Sequence, residues 1–238
     1  KTLVSAKDVK KTYRTGNVEA PALRGVFLDI NEGDFMSIVG PSGSGKTTLL
    51  NLIGALDSVT AGELTVLGHD VSGLSRHQRA ELRLSHLGFV FQAYNLVPVL
   101  TARENVEFVL ELQGMGRERA ARAREVLEEL GLAEFADRRP LEMSGGQQQR
   151  VAVARAVASR PRLVLADEPT ANLDGENAEI LMHMMRRLRD ERGMTFIFST
   201  HDPRVVKHAL RVVTLTDGRV SSDKVLDMAP EDAQKEKT

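Results

Sequence analysis

Cysteine is absent from this chain of 238 residues, so disulfides and thiolate metal sites are excluded. That suits a reducing compartment. Tryptophan is missing as well and other aromatics are scarce, which by itself discriminates little. No apolar run approaches the ~18 residues that a spanning helix needs, so the chain is not expected to cross a membrane alone. No basic-then-apolar leader pattern occupies the first residues, and no secretory signal is expected. Neither sign of charge dominates. The 32 basic and 33 acidic side chains leave a net charge of −1, so nothing points to a nucleic-acid surface and no nucleic-acid partner is expected. Internal repeats are absent. The length suffices for a sizeable core, in one large domain or two small lobes.

Periodicity divides what is there into two kinds of segment. Strands are expected at Leu3–Tyr13 and Ala22–Ile30, with a turn at Gly16-Asn17 between them. Asp34–Val39 is nearly all apolar and ends at a glycine, which reads as a buried strand, and Thr47–Leu56 continues as an apolar helix. Gly62–Leu67 reads as strand and Ser75–Leu87 as helix. After Gly88-Phe89-Val90-Phe91-Gln92 the character becomes helical. Thr101 and Glu104 stand in capping-box spacing. Ala120, Ala123, Val126, Leu127 and Leu130 recur at helical spacing and Gly131 terminates them. A third helix follows Ser144 to about Ser159. Leu163–Ala166, Thr195–Ser199 and Arg211–Leu215 return to strand, Ala178, Leu181, Met182, Met185 and Leu188 mark a helix face, and Asp217-Gly218 is a hairpin turn. An α/β core at 1–91 and 161–225, with the early strands as an antiparallel side sheet, is thus interrupted by a helical lobe at 92–160. The polar residues 226–238 are expected to form a flexible tail.

Two segments carry the chemistry. Gly40-Pro41-Ser42-Gly43-Ser44-Gly45-Lys46-Thr47, followed by Thr48, fits G-x-x-x-x-G-K-[ST]. Its glycines let backbone N–H groups cradle phosphate oxygens, Lys46 reaches the β- and γ-phosphates, and the Thr47 hydroxyl can ligate Mg²⁺. The apolar run Leu163-Val164-Leu165-Ala166 ends in two carboxylates. Asp167 is suited to hold Mg²⁺, and Glu168 to polarise an attacking water. Between them, Ser144-Gly145-Gly146-Gln147 opens a helix, with Ser144 as N-cap. Read locally, this last run is an ordinary capped helix as readily as an anion site.

With Gln148-Gln149-Arg150 after that run and Asp167-Glu168-Pro169 soon following, the chain resembles the nucleotide-binding subunit of an ABC transporter from about Leu3 to Val220. The resemblance implies a P-loop NTPase core with an antiparallel side sheet and an inserted helical lobe. It implies ATP and Mg²⁺ as ligands and ATP hydrolysis as the activity. Tyr13 then stands where the family stacks a ring on adenine, Gln92 at the glutamine that senses Mg²⁺ and the γ-phosphate, and His201 at the γ-phosphate histidine. Asp174, in Ala171-Asn172-Leu173-Asp174, lies in the loop that crosses the dimer interface. Ser144 to Gln147 serve the nucleotide of a second copy, so the implied partners are a second copy of the chain and an integral membrane permease, at the cytoplasmic face of the membrane. Met143 departs from the family's usual leucine, a volume-conserving change. Tyr13-Arg14-Thr15-Gly16, Phe89-Val90-Phe91-Gln92-Ala93-Tyr94 and Ser199-Thr200-His201-Asp202-Pro203 resemble the branch of lipoprotein-releasing and macrolide-type exporters, with its cell-division relative.

Other branches share these motifs. Structural-maintenance and repair ATPases place a long coiled coil between the two halves, whereas this gap holds short helices without sustained heptads. Ribosome-acting members usually carry two cassettes in one chain. Ala93–Leu100 is unusually apolar for a connection. It is expected either to pack under the helical lobe or to line a groove for a helix of the membrane subunit.

Overall fold

A computed structural model describes residues 1–16 and 18–226. The turn expected at Gly16-Asn17 and the tail expected over 226–238 lie outside the described residues except for Gly16 and Leu226. The Leu226 N–H donates to Leu210 O at 2.8 Å.

Two sheets organise the chain. β1 (Thr2–Thr15), β2 (Val18–Asn31), β4 (Ala61–Val66) and the short β5 (His69–Asp70) form an antiparallel sheet in the order β2-β1-β4-β5. The second sheet runs β10-β9-β3-β8-β7-β6. Here β3 (Phe35–Val39), β6 (Leu87–Phe91), β7 (Leu163–Asp167), β8 (Thr195–Ser199) and β9 (Arg211–Thr216) are parallel, and β10 (Arg219–Val225) returns antiparallel. The return passes through Asp217 and Gly218, at φ 47° and 73°, the left-handed pair that a tight hairpin turn needs. The central strands are buried along nearly their whole length, as a parallel sheet covered on both faces requires.

Strand alternation sends successive side chains to opposite layers. Phe35, Phe196 and Phe198 face a cluster that also holds Val106, Leu127, Val157 and Met185. Met36, Ile38 and Ile197 face a second cluster with Leu49 and the side-sheet residues Val26 and Leu64. Three aromatic rings meet in the first cluster: the Phe35 ring stands edge-on to Phe198 with centroids 4.8 Å apart, and Phe196 is 5.6 Å from Phe35. Burying each such ring contributes about 1.5–3 kcal/mol.

The first layer is built by α3 (Ala102–Leu112), α4 (Arg119–Glu129), α5 (Gly145–Val157) and α6 (Gly175–Arg192), while α1 (Lys46–Ile53) belongs to the second. The residues expected on the α6 face, Ala178, Leu181, Met182, Met185 and Leu188, are its buried ones. Capping boxes open α3 at Thr101 and α5 at Ser144. A third opens α2 (Arg76–His86) at Ser75. Two expectations need correcting. The α1 helix stops at Ile53 rather than Leu56, because Gly54 caps it and Ala55 turns left-handed at φ 52°. The helix expected over Ser75–Leu87 ends at His86, and Leu87 to Phe91, to which the sequence reading assigns no strand, form one, because parallel pairing with β7 takes up their backbone groups. A short apolar run does not announce that choice by its period. Among the described residues, no helix is long and apolar enough to cross a membrane.

Candidate active site

Parallel strands present their carboxyl ends at one edge, and four of the loops leaving that edge carry the residues singled out above. The register aligns Phe91 with Asp167 and Asp167 with Ser199, while Ile38 pairs with Ser199. Gln92, Glu168 and Thr200 therefore follow directly across neighbouring strands, with the Gly40–Thr47 loop leaving the strand beside them. Such a crevice beyond the carboxyl ends of an open α/β sheet is where ligands bind.

A cavity of about 660 Å³ opens there, lined by Gly40, Pro41, Ser42, Gly43, Gly45, Lys46, Thr47, Thr48, Gln92, Glu168 and His201, with Ala22 from β2. Ser44 is buried behind the loop. Gly40, at φ 151°, passes so close to β9 that a Cβ would lie 2.1 Å from Leu215 O. The Lys46 ammonium donates to Gly40 O and Pro41 O at 2.8 and 3.0 Å, which curls the loop around its own lysine. The α1 helix starts at Lys46 without a side-chain cap, so its first N–H groups face the cavity open to an anion.

Behind the loop, the Thr47 hydroxyl donates to Asp167 Oδ1 at 3.3 Å. Burial pushes the Asp167 carboxyl above its ordinary range, with Thr47 opposing that shift. These are hard oxygen donors, spaced close to the roughly 3 Å that separates neighbouring ligands on an ion with 2.0–2.1 Å bonds, so the residues present fit Mg²⁺. Glu168 holds a left-handed backbone at φ 46°, a conformation that costs about 1–3 kcal/mol outside glycine and gathers at functional sites. Its carboxylate is held from two sides. Thr200 Oγ1 donates to Oε2 at 3.0 Å, and Nδ1 of His201 lies 2.5 Å from Oε1. The His201 side chain is 77% exposed, so this second contact is the one free to release.

Three groups of expected site residues do not line this cavity. Tyr13 stands on β1 opposite Ala20, its ring 5.0 Å from the Lys11 ammonium and its hydroxyl donating to Asp57 at 3.1 Å. Ser144 caps α5 by accepting from the Gln147 N–H at 3.3 Å, while the Gln147 side chain accepts from the Ser144 N–H at 2.8 Å. Gly145 and Gly146 follow, and a Cβ on Gly146 would come within 2.5 Å of Asn177 Oδ1, so glycine is what lets α5 meet the start of α6. Asp174 caps α6, accepting from the Asn177 N–H at 2.8 Å, and that bond holds its carboxyl below the usual range.

Several contributors escaped the sequence reading. Thr200 was visible beside His201 but had no role until β8 placed it under Glu168. Asn105 is buried on α3, and its amide accepts from Val97 N–H and donates to Val97 O, Leu100 O and Thr101 O, which fixes the turn after Gln92. A polar residue on the buried stripe of Ala102, Val106 and Leu110 was the available signal. Arg155 on α5 donates to Asn95 O and Tyr94 O at 2.5 and 2.9 Å, pinning two left-handed residues. Gln149 on α5 donates to Pro169 O at 2.8 Å, directly after the paired carboxylates. Beside the turn lies a second, apolar cavity of about 580 Å³, with Leu84, Phe89, Phe91, Val97, Phe108 and Leu112 in its wall. The Ala93–Leu100 segment divides: Leu96 packs against the core, while Val99 is 71% exposed.

The comparisons with known proteins agree with this geometry. Residues 23–171 match the ABC transporter family. The macrolide export ATP-binding/permease protein MacB of Syntrophobacter fumaroxidans is 45% identical over 227 residues, 93% of this chain and 31% of that protein. The Escherichia coli K12 protein of the same name is 44% identical over 219 residues, 92% of this chain and 34% of its own. The chain thus spans about a third of the length of these relatives. It matches 94% of an uncharacterized ABC transporter ATP-binding protein of Thermotoga maritima, at 45% identity over 221 residues and 92% of this chain. A dimeric post-hydrolysis structure of the ATP-binding cassette MJ0796 with ADP and Pi superposes with a TM-score of 0.87 at 43% identity, covering 95% of this chain and all of that one. With the loop, the paired carboxylates and the sheet order that joins them, these likenesses establish that the chain belongs to the ABC transporter family.

Proposed function

We propose that two copies of this chain close head-to-tail on ATP, hydrolyse it, and pass the motion to an integral membrane permease at the cytoplasmic face of the membrane. The observation that carries this reading is an incompleteness. The cavity of one copy holds Lys46, Thr47, Gln92, Glu168 and His201, yet Ser144, Gly145, Gly146 and Gln147 stand outside it. A second copy would supply them, and MJ0796 is itself described as a dimer.

Each residue then has a task. Lys46 and the loop amides of Gly40 to Gly45 bind the phosphates, and Tyr13 stacks on the base. Thr47, Asp167 and Gln92 would hold Mg²⁺, which supplies charge neutralisation on the phosphates. Glu168 accepts the proton of the attacking water. Thr200 keeps one of its oxygens oriented, and the exposed His201 swings from the other toward the γ-phosphate. Asp174 leads across the dimer interface. The helical lobe at 92–160 turns against the core at 1–91 and 161–225, with Gln92 and Gln149 as its two attachments to the phosphate end of the site.

The apolar cavity beside Gln92 would receive a short helix of the permease, a helix-in-groove contact. The MacB proteins of macrolide export join ATP-binding and permease parts under one name, which supports export for this chain within the set of roles that also includes lipoprotein release and mechanical transmission.

The Glu168→Gln variant tests the reading. Hydrolysis should fall about 10²–10⁴-fold, the usual share of a general base, while ATP still binds and now holds a stable dimer on size exclusion. A variant that stays monomeric at saturating ATP would count against it.

A further inference from the structure

Away from the nucleotide cavity, Glu179, His183 and His208 bring one ligand atom each into a space where all three lie within 4.8 Å of one another. Glu179 and His183 are one turn apart on α6, on the same face. His208 follows α7 (Pro203–Val206), the short helix that begins just after His201. The His208 ring is buried, with Nε2 2.8 Å from Glu179 Oε2. The exposed His183 ring stands edge-on to it, centroids 5.0 Å apart at 82°. Glu179 already satisfies Nε2 of the buried imidazole, so His183 is not needed for the hydrogen bonding of His208.

We propose that Glu179, His183 and His208 form a binding site for a borderline divalent metal of the Zn²⁺ class. Two imidazoles and one carboxylate are a known zinc donor set, with bonds of about 2.0–2.1 Å that place ligand atoms roughly 3.3 Å apart. Glu179 and His208 are already 2.8 Å apart, so His183, the exposed member, is the ligand that would move to close the set. Cations stand around the cluster, Arg204 among them through its attraction to Glu179. Lys207 Nζ lies 2.5 Å from Glu179 Oε1, and its side chain is more than half exposed, so it can withdraw to water. Arg186 donates to the His208 carbonyl at 3.5 Å, behind the ring. The donor set also separates this site from the oxygen-lined one at Thr47 and Asp167, since imidazole suits Zn²⁺ better than Mg²⁺. A bound ion would tie α6 to the segment carrying His201, and so restrain the switch from its far side.

The test is titration of the purified chain with Zn²⁺ alone, without nucleotide and against a chromogenic chelator, alongside a visible spectrum of the Co²⁺-substituted protein. One ion per chain and a rise in melting temperature are expected. His183→Ala, at an exposed position, should keep the fold and weaken binding by more than about 10–100-fold, the loss seen when even a residue that merely orients a ligand is removed. Glu179→Gln should do the same, whereas His201→Ala should retain the ion. Absence of Zn²⁺ binding by the parent chain would overturn the proposal, as would unchanged affinity in His183→Ala or loss confined to His201→Ala.

Discussion

Thr47, on the first turn of α1, and Asp167, the last residue of β7, meet through a single hydrogen bond of 3.3 Å although 120 positions separate them in the chain. The bond joins the Gly40–Thr47 loop to the carboxylate strand and leaves Asp167 a half-buried acid with modest compensation. Burial raises that carboxyl above its ordinary 3.8. An acid with a raised folded-state pKa takes up a proton on folding. Its contribution is therefore most favourable below 3.8 and declines as pH rises through the raised value.

Asp167→Asn keeps the shape and removes the charge. Without nucleotide, its melting temperature at neutral pH should exceed that of the parent, and the gap should narrow as pH falls through the raised value toward 3.8. The same variant should lose the Mg²⁺-dependent part of ATP binding. A melt that is lower at neutral pH would show that the carboxylate stabilises the fold instead.

Lys46 and Ser144 should fail in different ways. Lys46→Ala removes a charge-assisted contact to phosphate and should weaken ATP binding by tenfold or more, at about 1.5–3 kcal/mol for a hydrogen bond to a charged group. Ser144→Arg should leave single-copy affinity nearly intact and abolish hydrolysis. Titration of both with a fluorescent ATP analogue separates them, and equal losses of affinity would mean that Ser144 does not serve a partner's nucleotide.

Two charges in one segment should also part company. Val99 is 71% exposed, so Val99→Glu should change stability by less than about 0.5 kcal/mol and yet prevent co-purification with the membrane subunit. Leu96 packs against the core, and Leu96→Glu should lower the thermal melt before any assembly is measured. Normal assembly of Val99→Glu would place the coupling surface elsewhere.

Asn105 holds the turn after Gln92 by four hydrogen bonds. Asn105→Ala leaves Val97 and its neighbours short of partners, at about 1–3 kcal/mol for each buried group unmet. We expect a loss of roughly 2–4 kcal/mol in urea unfolding, together with faster proteolysis between 93 and 101. A change below about 0.5 kcal/mol would mean that water replaces the amide.

Much of this was legible in the chain because its causes are local. Gly40 to Thr47 curl around Lys46 through their own backbone, Thr101 with Glu104 closes a capping box within one turn, and Asp217-Gly218 makes a hairpin from two left-handed residues. The boundary at Leu87 was not legible, since five apolar residues suit a strand or a buried helix equally and only β7 alongside them decides.

Residue types and local turns thus determined which groups could bind phosphate, hold a metal or take a proton. Their meeting depended on the strand order β9-β3-β8-β7-β6 and on the register that sets Phe91, Asp167 and Ser199 in line. Pairing between distant strands is decided by the burial of whole faces rather than by any local pattern. That is why Thr200 beneath Glu168, Arg155 on the turn at Tyr94, and the gathering of Glu179, His183 and His208 emerged only in the folded chain.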